Sequence, residues 1–62
     1  MSDWGKQLEA ERQRRGLSRM RAAVDVGVTE STWRSWERGE SMPSNLARES
    51  LAREKWPTPE VG

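Results

Sequence analysis

Apolar residues along this chain recur at helical spacing. Trp4 and Leu8 stand one turn apart and share a face. Met20, Ala23 and Val24 fall at i, i+3 and i+4, a pattern that predicts the inward face of a second helix. Trp33 and Trp36, three apart, turn toward the core from a third, and Glu30, Ser31, Arg34 and Ser35 point elsewhere. Leu46, Ala47 and Leu51 supply the apolar side of a fourth. No stretch alternates polar residues with β-branched or aromatic ones, so strands are not expected.

The residues between these patterns set the boundaries. Ser2 is placed to cap a helix over residues 3–15, with Asp3 at the positive end of its dipole and Gly16 as its stop. Ser18 caps the second helix, which ends near Val26, and Leu17 can pack back onto it. Gly27 allows a sharp turn through positive φ. Thr29 caps the third helix and Gly39 ends it, and Pro43-Ser44 opens the fourth. Trp56-Pro57-Thr58-Pro59 ends regular structure, because two prolines block helix continuation. The expectation is an all-α fold of four to five helices: one compact domain over residues 1–55 and a short, loose tail over 56–62.

Composition narrows the chemistry. A chain of 62 residues makes one domain and buries only about 60% of its unfolded surface. It has no cysteine for a disulfide and no histidine or cysteine for a structural zinc site, so no metal or cofactor is expected. The core must come from aliphatic residues and the four tryptophans. Without His or Cys the commonest general base and the best nucleophile are missing, and nothing pairs the carboxylates and serines catalytically, so an enzyme is not expected. Residues 1–11 lack the apolar stretch of a signal peptide and no run is long enough to span a membrane. The expected location is the cytoplasm. The net charge of +1 hides an asymmetry: residues 1–39 hold eight Lys/Arg against six Asp/Glu, and residues 40–62 hold three against four. Arg12, Arg14, Arg15, Arg19 and Arg21 lie close together, as a solvated helix face or as local positive charge for phosphates.

The informative feature is a constellation across the second and third helices. A helix-turn-helix needs a small residue where the second helix of the unit crosses the first, and Ala23 supplies it. Gly27 suits the turn, Val28 is the apolar residue after it, and Trp33 and Trp36 face back from the second helix of the unit. The outer face of that helix is then free for a major groove.

The stretch from Gly16-Leu17-Ser18 through Val26-Gly27-Val28-Thr29 to Trp36-Glu37-Arg38-Gly39, followed by Glu40-Ser41-Met42-Pro43, resembles the phage-repressor, Cro and xenobiotic-response-element class of helix-turn-helix proteins. The resemblance covers roughly residues 4–54 and implies a lambda-repressor-like fold and a Cro- or repressor-like regulator of transcription. It also implies an internal ion pair between Arg12 and Glu37, which would lock the first helix onto the third. Three positions depart from the family pattern. Arg19 stands where glutamine usually contacts a phosphate, Glu11 replaces a large aliphatic, and Trp33 is bulkier than the usual Ile or Val, a change that small Ala22 and Ala23 can balance.

By position in the motif, Glu30, Ser31 and Arg34 are candidate base contacts, with Thr32 and Ser35 behind them. Arg34 suits guanine O6 and N7, and Glu30 suits cytosine N4 or simply the helix N-terminus. Arg19, Arg38, Ser18, Ser41 and Asn45 are candidate phosphate contacts. The expected partner is double-stranded DNA with a two-fold or pseudo-two-fold operator, bound by a weak homodimer formed on DNA or by a monomer, with no small-molecule ligand. Trp56 is either a dimer anchor or a cap on the core. Two alternatives remain open: a protein-interaction module on the same fold, with Trp56 and the proline-rich tail as docking element, and an accessory DNA-binding protein of excision or recombination.

Overall fold

A computed structural model of the chain describes residues 3–59. Among these residues the secondary structure is all helical: α1 (Trp4–Arg14), α2 (Arg19–Val26), α3 (Glu30–Glu37) and α4 (Asn45–Arg53). None of these helices is long and apolar enough to cross a membrane.

The caps act locally, as their chemistry requires. Ser18, Thr29 and Ser44 accept from the backbone N–H groups of Arg21, Thr32 and Ala47, three residues on. The proposed cap Ser2 lies outside the described residues; α1 begins after Asp3, whose side chain makes no capping bond. At the end of α2, Gly27 at φ 86° lets its own N–H reach Val24 O (3.1 Å) and the Val28 N–H reach Ala23 O (2.9 Å). The same doubled closure recurs after the other three helices, and after α4 a non-glycine, Lys55, holds the left-handed position at φ 66°.

The core is a chain of four indoles. Trp4 meets Trp36 at 5.8 Å, Trp36 meets Trp33 at 5.7 Å, and Trp33 meets Trp56 in a T-shaped contact at 4.9 Å. Leu8, Ala22, Ala23, Val26 and Leu51 complete the buried set. Trp56 therefore folds back onto the core and does not stand out as a dimer anchor or docking element. Its neighbour Pro57 accepts the Trp4 Nε1–H at 2.8 Å, and Pro59 is buried. Of the tail expected over 56–62, residues 56–59 pack onto the body, because burying a fourth indole outweighs the entropy of a few ordered residues, and residues 60–62 lie outside the described residues.

Three residues expected on inward faces, Met20, Val24 and Leu46, are exposed. Met20 and Val24 are 59% and 65% exposed, and the inward face of α2 is Ala22, Ala23 and Val26. Helical periodicity puts Met20 and Val24 together on the opposite side. The small residues face inward because α3 crosses there with two indoles. Leu46 is likewise 77% exposed, leaving Ala47 and Leu51 as the inner side of α4.

One close approach was not foreseen. Gly5 is buried in the first turn of α1, and a Cβ there would lie 2.7 Å from the backbone oxygens of both Trp36 and Glu37. Only a residue without a side chain lets α1 pass this near the C-terminal end of α3.

Candidate nucleic-acid interface

α3 divides into two sides. Trp33 and Trp36 are buried, and the Glu37 side chain is only 3% exposed. Ser31, Arg34 and Arg38 lie on the opposite side and are exposed, flanked by half-buried Glu30 and Ser35. Thr32 is half-buried and its hydroxyl accepts from the Thr29 hydroxyl at 3.0 Å within the N-cap, which occupies it structurally. Arg34 Nη2 lies 3.7 Å from Glu30 Oε1, and Arg38 Nε lies 3.2 Å from Glu40 Oε2. All four side chains reach solvent, so these pairs hold weakly and can exchange for other partners.

Of the other candidate phosphate contacts, Ser18 and Arg19 lie at the start of α2, Ser41 in the segment after α3, and Asn45 at the start of α4. The Ser18 hydroxyl is committed to the cap of α2. Ser41 and Asn45 are both exposed. Arg19, the first residue of α2, is 41% exposed and donates from Nε to Glu37 Oε1 at 3.0 Å.

Glu37 is the hub that fixes these elements. Arg12 donates to it from Nε at 2.7 Å and from Nη2 at 3.5 Å, and Arg12 Nη1 donates to Leu17 O at 2.9 Å. The Trp33 indole N–H donates to Glu37 Oε2 at 2.6 Å. Burial pushes the Glu37 carboxyl up, but the hydrogen bonds from Arg12, Trp33 and Arg19 outweigh it and hold the pKa below the ordinary carboxylate value. Glu9 adds an outer carboxylate, 4.0 Å from Arg12 Nη2 and 3.8 Å from Arg19 Nη2. The sequence pairs only Arg12 with Glu37. The Trp33 bond was accessible from i,i+4 spacing on one helix, whereas the Arg19 bond depends on how α2 crosses α3.

The arginine cluster of α1 is less available than its density suggests. Arg14 and Arg15 both bind Glu11, and their hydrogen bonds hold its carboxyl down at about 2. Arg15 also lies over the Trp56 ring at 4.0 Å and donates to the carbonyls of Glu54 and Lys55. It clamps the end of α4 and is not a solubilising surface charge. Glu11, at the position where an aliphatic was expected, serves this clamp. Arg21 is an exposed partner of Asp25 at 3.3 Å.

Two short helices joined through a left-handed glycine, the second sealed by indoles behind and polar in front, define a helix-turn-helix module. The chain matches the family model described as a helix-turn-helix domain over residues 4–53, and it belongs to that family. The match runs from the first residue of α1 to the last of α4. No curated protein and no solved structure matches the chain. The chain is thus an all-α domain of a class that binds double-stranded DNA and is typically non-enzymatic.

Proposed function

We propose that this domain is a sequence-specific regulator of transcription, of the repressor and Cro type, that reads the major groove with α3. The observation that carries the reading is the division of α3. Its inner side is filled by Trp33, Trp36 and Glu37, and its outer side offers Ser31 and Arg34, with Arg38 at the end. An arginine in the middle of that face suits bidentate pairing with guanine O6 and N7. Glu30, released from Arg34, suits a cytosine N4 donor, and Ser35 flanks the pair. Thr32 contributes less, because its hydroxyl belongs to the cap. Arg19 and Arg38 contact phosphates on either side, and Ser41 and Asn45 extend the backbone contacts. With Trp56 inside the core, dimerisation takes place on an operator whose half-sites lie about one helical turn apart.

Selection of bound duplexes from a random pool at physiological salt tests the proposal. A two-fold site is the expected product, and a single half-site keeps the reading but removes the dimer. Arg34→Ala should then relax preference at one base position, at a cost of about 1–3 kcal/mol on the selected site. Arg19→Ala should weaken every sequence alike and reduce the salt slope by about 0.9. Selection that enriches nothing would sink the regulator reading and favour a protein-binding role on the same fold.

A further inference from the structure

We infer that Glu37 is a positioning residue for DNA binding as well as a structural one: from inside the fold it sets the orientation in which Arg19 meets a phosphate. The inference rests on the DNA-reading function proposed above and adds a residue to it that touches no DNA. Glu37 is almost fully buried, with its side chain 3% exposed, yet one of its oxygens reaches the base of an arginine that is 41% exposed. The Arg19 bond uses Nε, at 3.0 Å, so the Nη edge of the guanidinium is not consumed by it. Nη2 approaches Glu9 Oε2 only at 3.8 Å, beyond hydrogen-bonding distance. The planar group is therefore held at its root by one carboxylate and steadied at its side by another, with donors left for a third acceptor.

The anchor is itself immobile. Arg12 and Trp33 hold the same Glu37 carboxylate at 2.7 Å and 2.6 Å, and Arg12 is tied in turn to the Leu17 carbonyl between α1 and α2. A free surface arginine loses rotamer freedom when it closes on a phosphate. Here much of that ordering is already present in the unbound protein. A glutamine at the start of α2 has no charge to pair with Glu37, so the coupling depends on arginine at this position.

Glu37→Asp keeps the charge, and with it the general electrostatics, but shortens the reach, so Arg12 and Arg19 can no longer be held together. Affinity for a selected duplex is measured for Glu37→Asp with Arg19 present and with Arg19→Ala, at a temperature where circular dichroism shows every variant folded. With Arg19 present, Glu37→Asp should weaken binding roughly 2- to 10-fold at unchanged salt slope. In the Arg19→Ala background it should change nothing, the mark of an effect routed through Arg19. Equal losses in both backgrounds, or tighter binding, overturn the inference.

A second measurement requires no substitution. In the free wild-type protein the Arg19 Nε–H should give a resolved NMR signal protected from water exchange, unlike exposed Arg53. An Arg19 signal averaged with the exposed arginines overturns the inference even if Glu37→Asp fails to fold. Absence of salt-sensitive duplex binding by the wild type would instead remove the proposed function and leave the Arg19 signal as found.

Discussion

Replacing Gly5 with alanine isolates the close approach of α1 to α3. Gly5 lies within a helix, where alanine is ordinarily the better residue by up to about 1 kcal/mol. Here the added Cβ would sit 2.7 Å from two backbone oxygens and 3.2 Å from the Glu37 carbonyl carbon. Relief to an ordinary Cβ contact of 3.4 Å requires α1 or the end of α3 to move by about 0.7 Å. Flexible side-chain ends could yield cheaply, but these are main-chain atoms in the last turn of α3. Overpacking of this kind costs about 1–3 kcal/mol, more than the gain in propensity. For a domain this small each kcal/mol lowers the melting temperature by about 4–8 °C. Denaturant titration followed by tryptophan fluorescence reads the change directly, with Gln7→Ala on the exposed side of the same helix as control. A Gly5→Ala protein as stable as wild type, or more stable, would refute the argument, because propensity alone predicts that sign.

Trp56→Ala should cost about 3–5 kcal/mol and leave the domain largely unfolded at 37 °C by circular dichroism, because it removes the Trp33 edge contact and the seat of Arg15. Trp56→Phe should cost much less, as the deleted indole N–H has no hydrogen-bond partner among the described residues. Lys55→Gly should stabilise by about 0.5–1 kcal/mol in the same titration, since a lysine at φ 66° carries a steric penalty that glycine lacks; unchanged or lower stability would contradict it. Stability should fall on acidification. The folded pKa values of Glu11 and Glu37 lie below the ordinary glutamate value, so their contribution is complete above that value and is lost as pH drops through the folded values, to about 2 for Glu11. Glu37→Gln should cost about 3 kcal/mol at neutral pH by stranding Arg12, and should flatten the acid limb of the stability curve.

What the sequence alone determined is what short-range chemistry controls. A serine or threonine caps the N–H three residues on, and a glycine in the left-handed region closes a helix, whatever the rest of the chain does. The limits of α2 and α3 and the start of α4 were therefore legible from Ser18, Thr29, Ser44, Gly27 and Gly39, whereas α4 ends at Arg53, before the Trp56-Pro57 signal, with Lys55 in the left-handed position. The turn at Gly27 and the two tryptophans behind α3 were legible for the same reason, since their spacing fits a single local unit.

What only the tertiary structure decided is the rotation of each helix about its own axis and the partners this brings within reach. Periodicity groups residues into faces but does not say which face turns inward when a helix of eight residues has two apolar ones. On α2 the small face won, because crossing indoles need room more than Met20 and Val24 need burial. The crossing of α2 and α3 delivers Arg19 to a carboxylate eighteen positions away, the packing of α1 on α3 brings Gly5 against its carbonyls, and the segment after α4 closes Trp56 over Trp33. Each of these joins residues far apart in the chain, and such contacts exist only once the packing of the helices has been chosen.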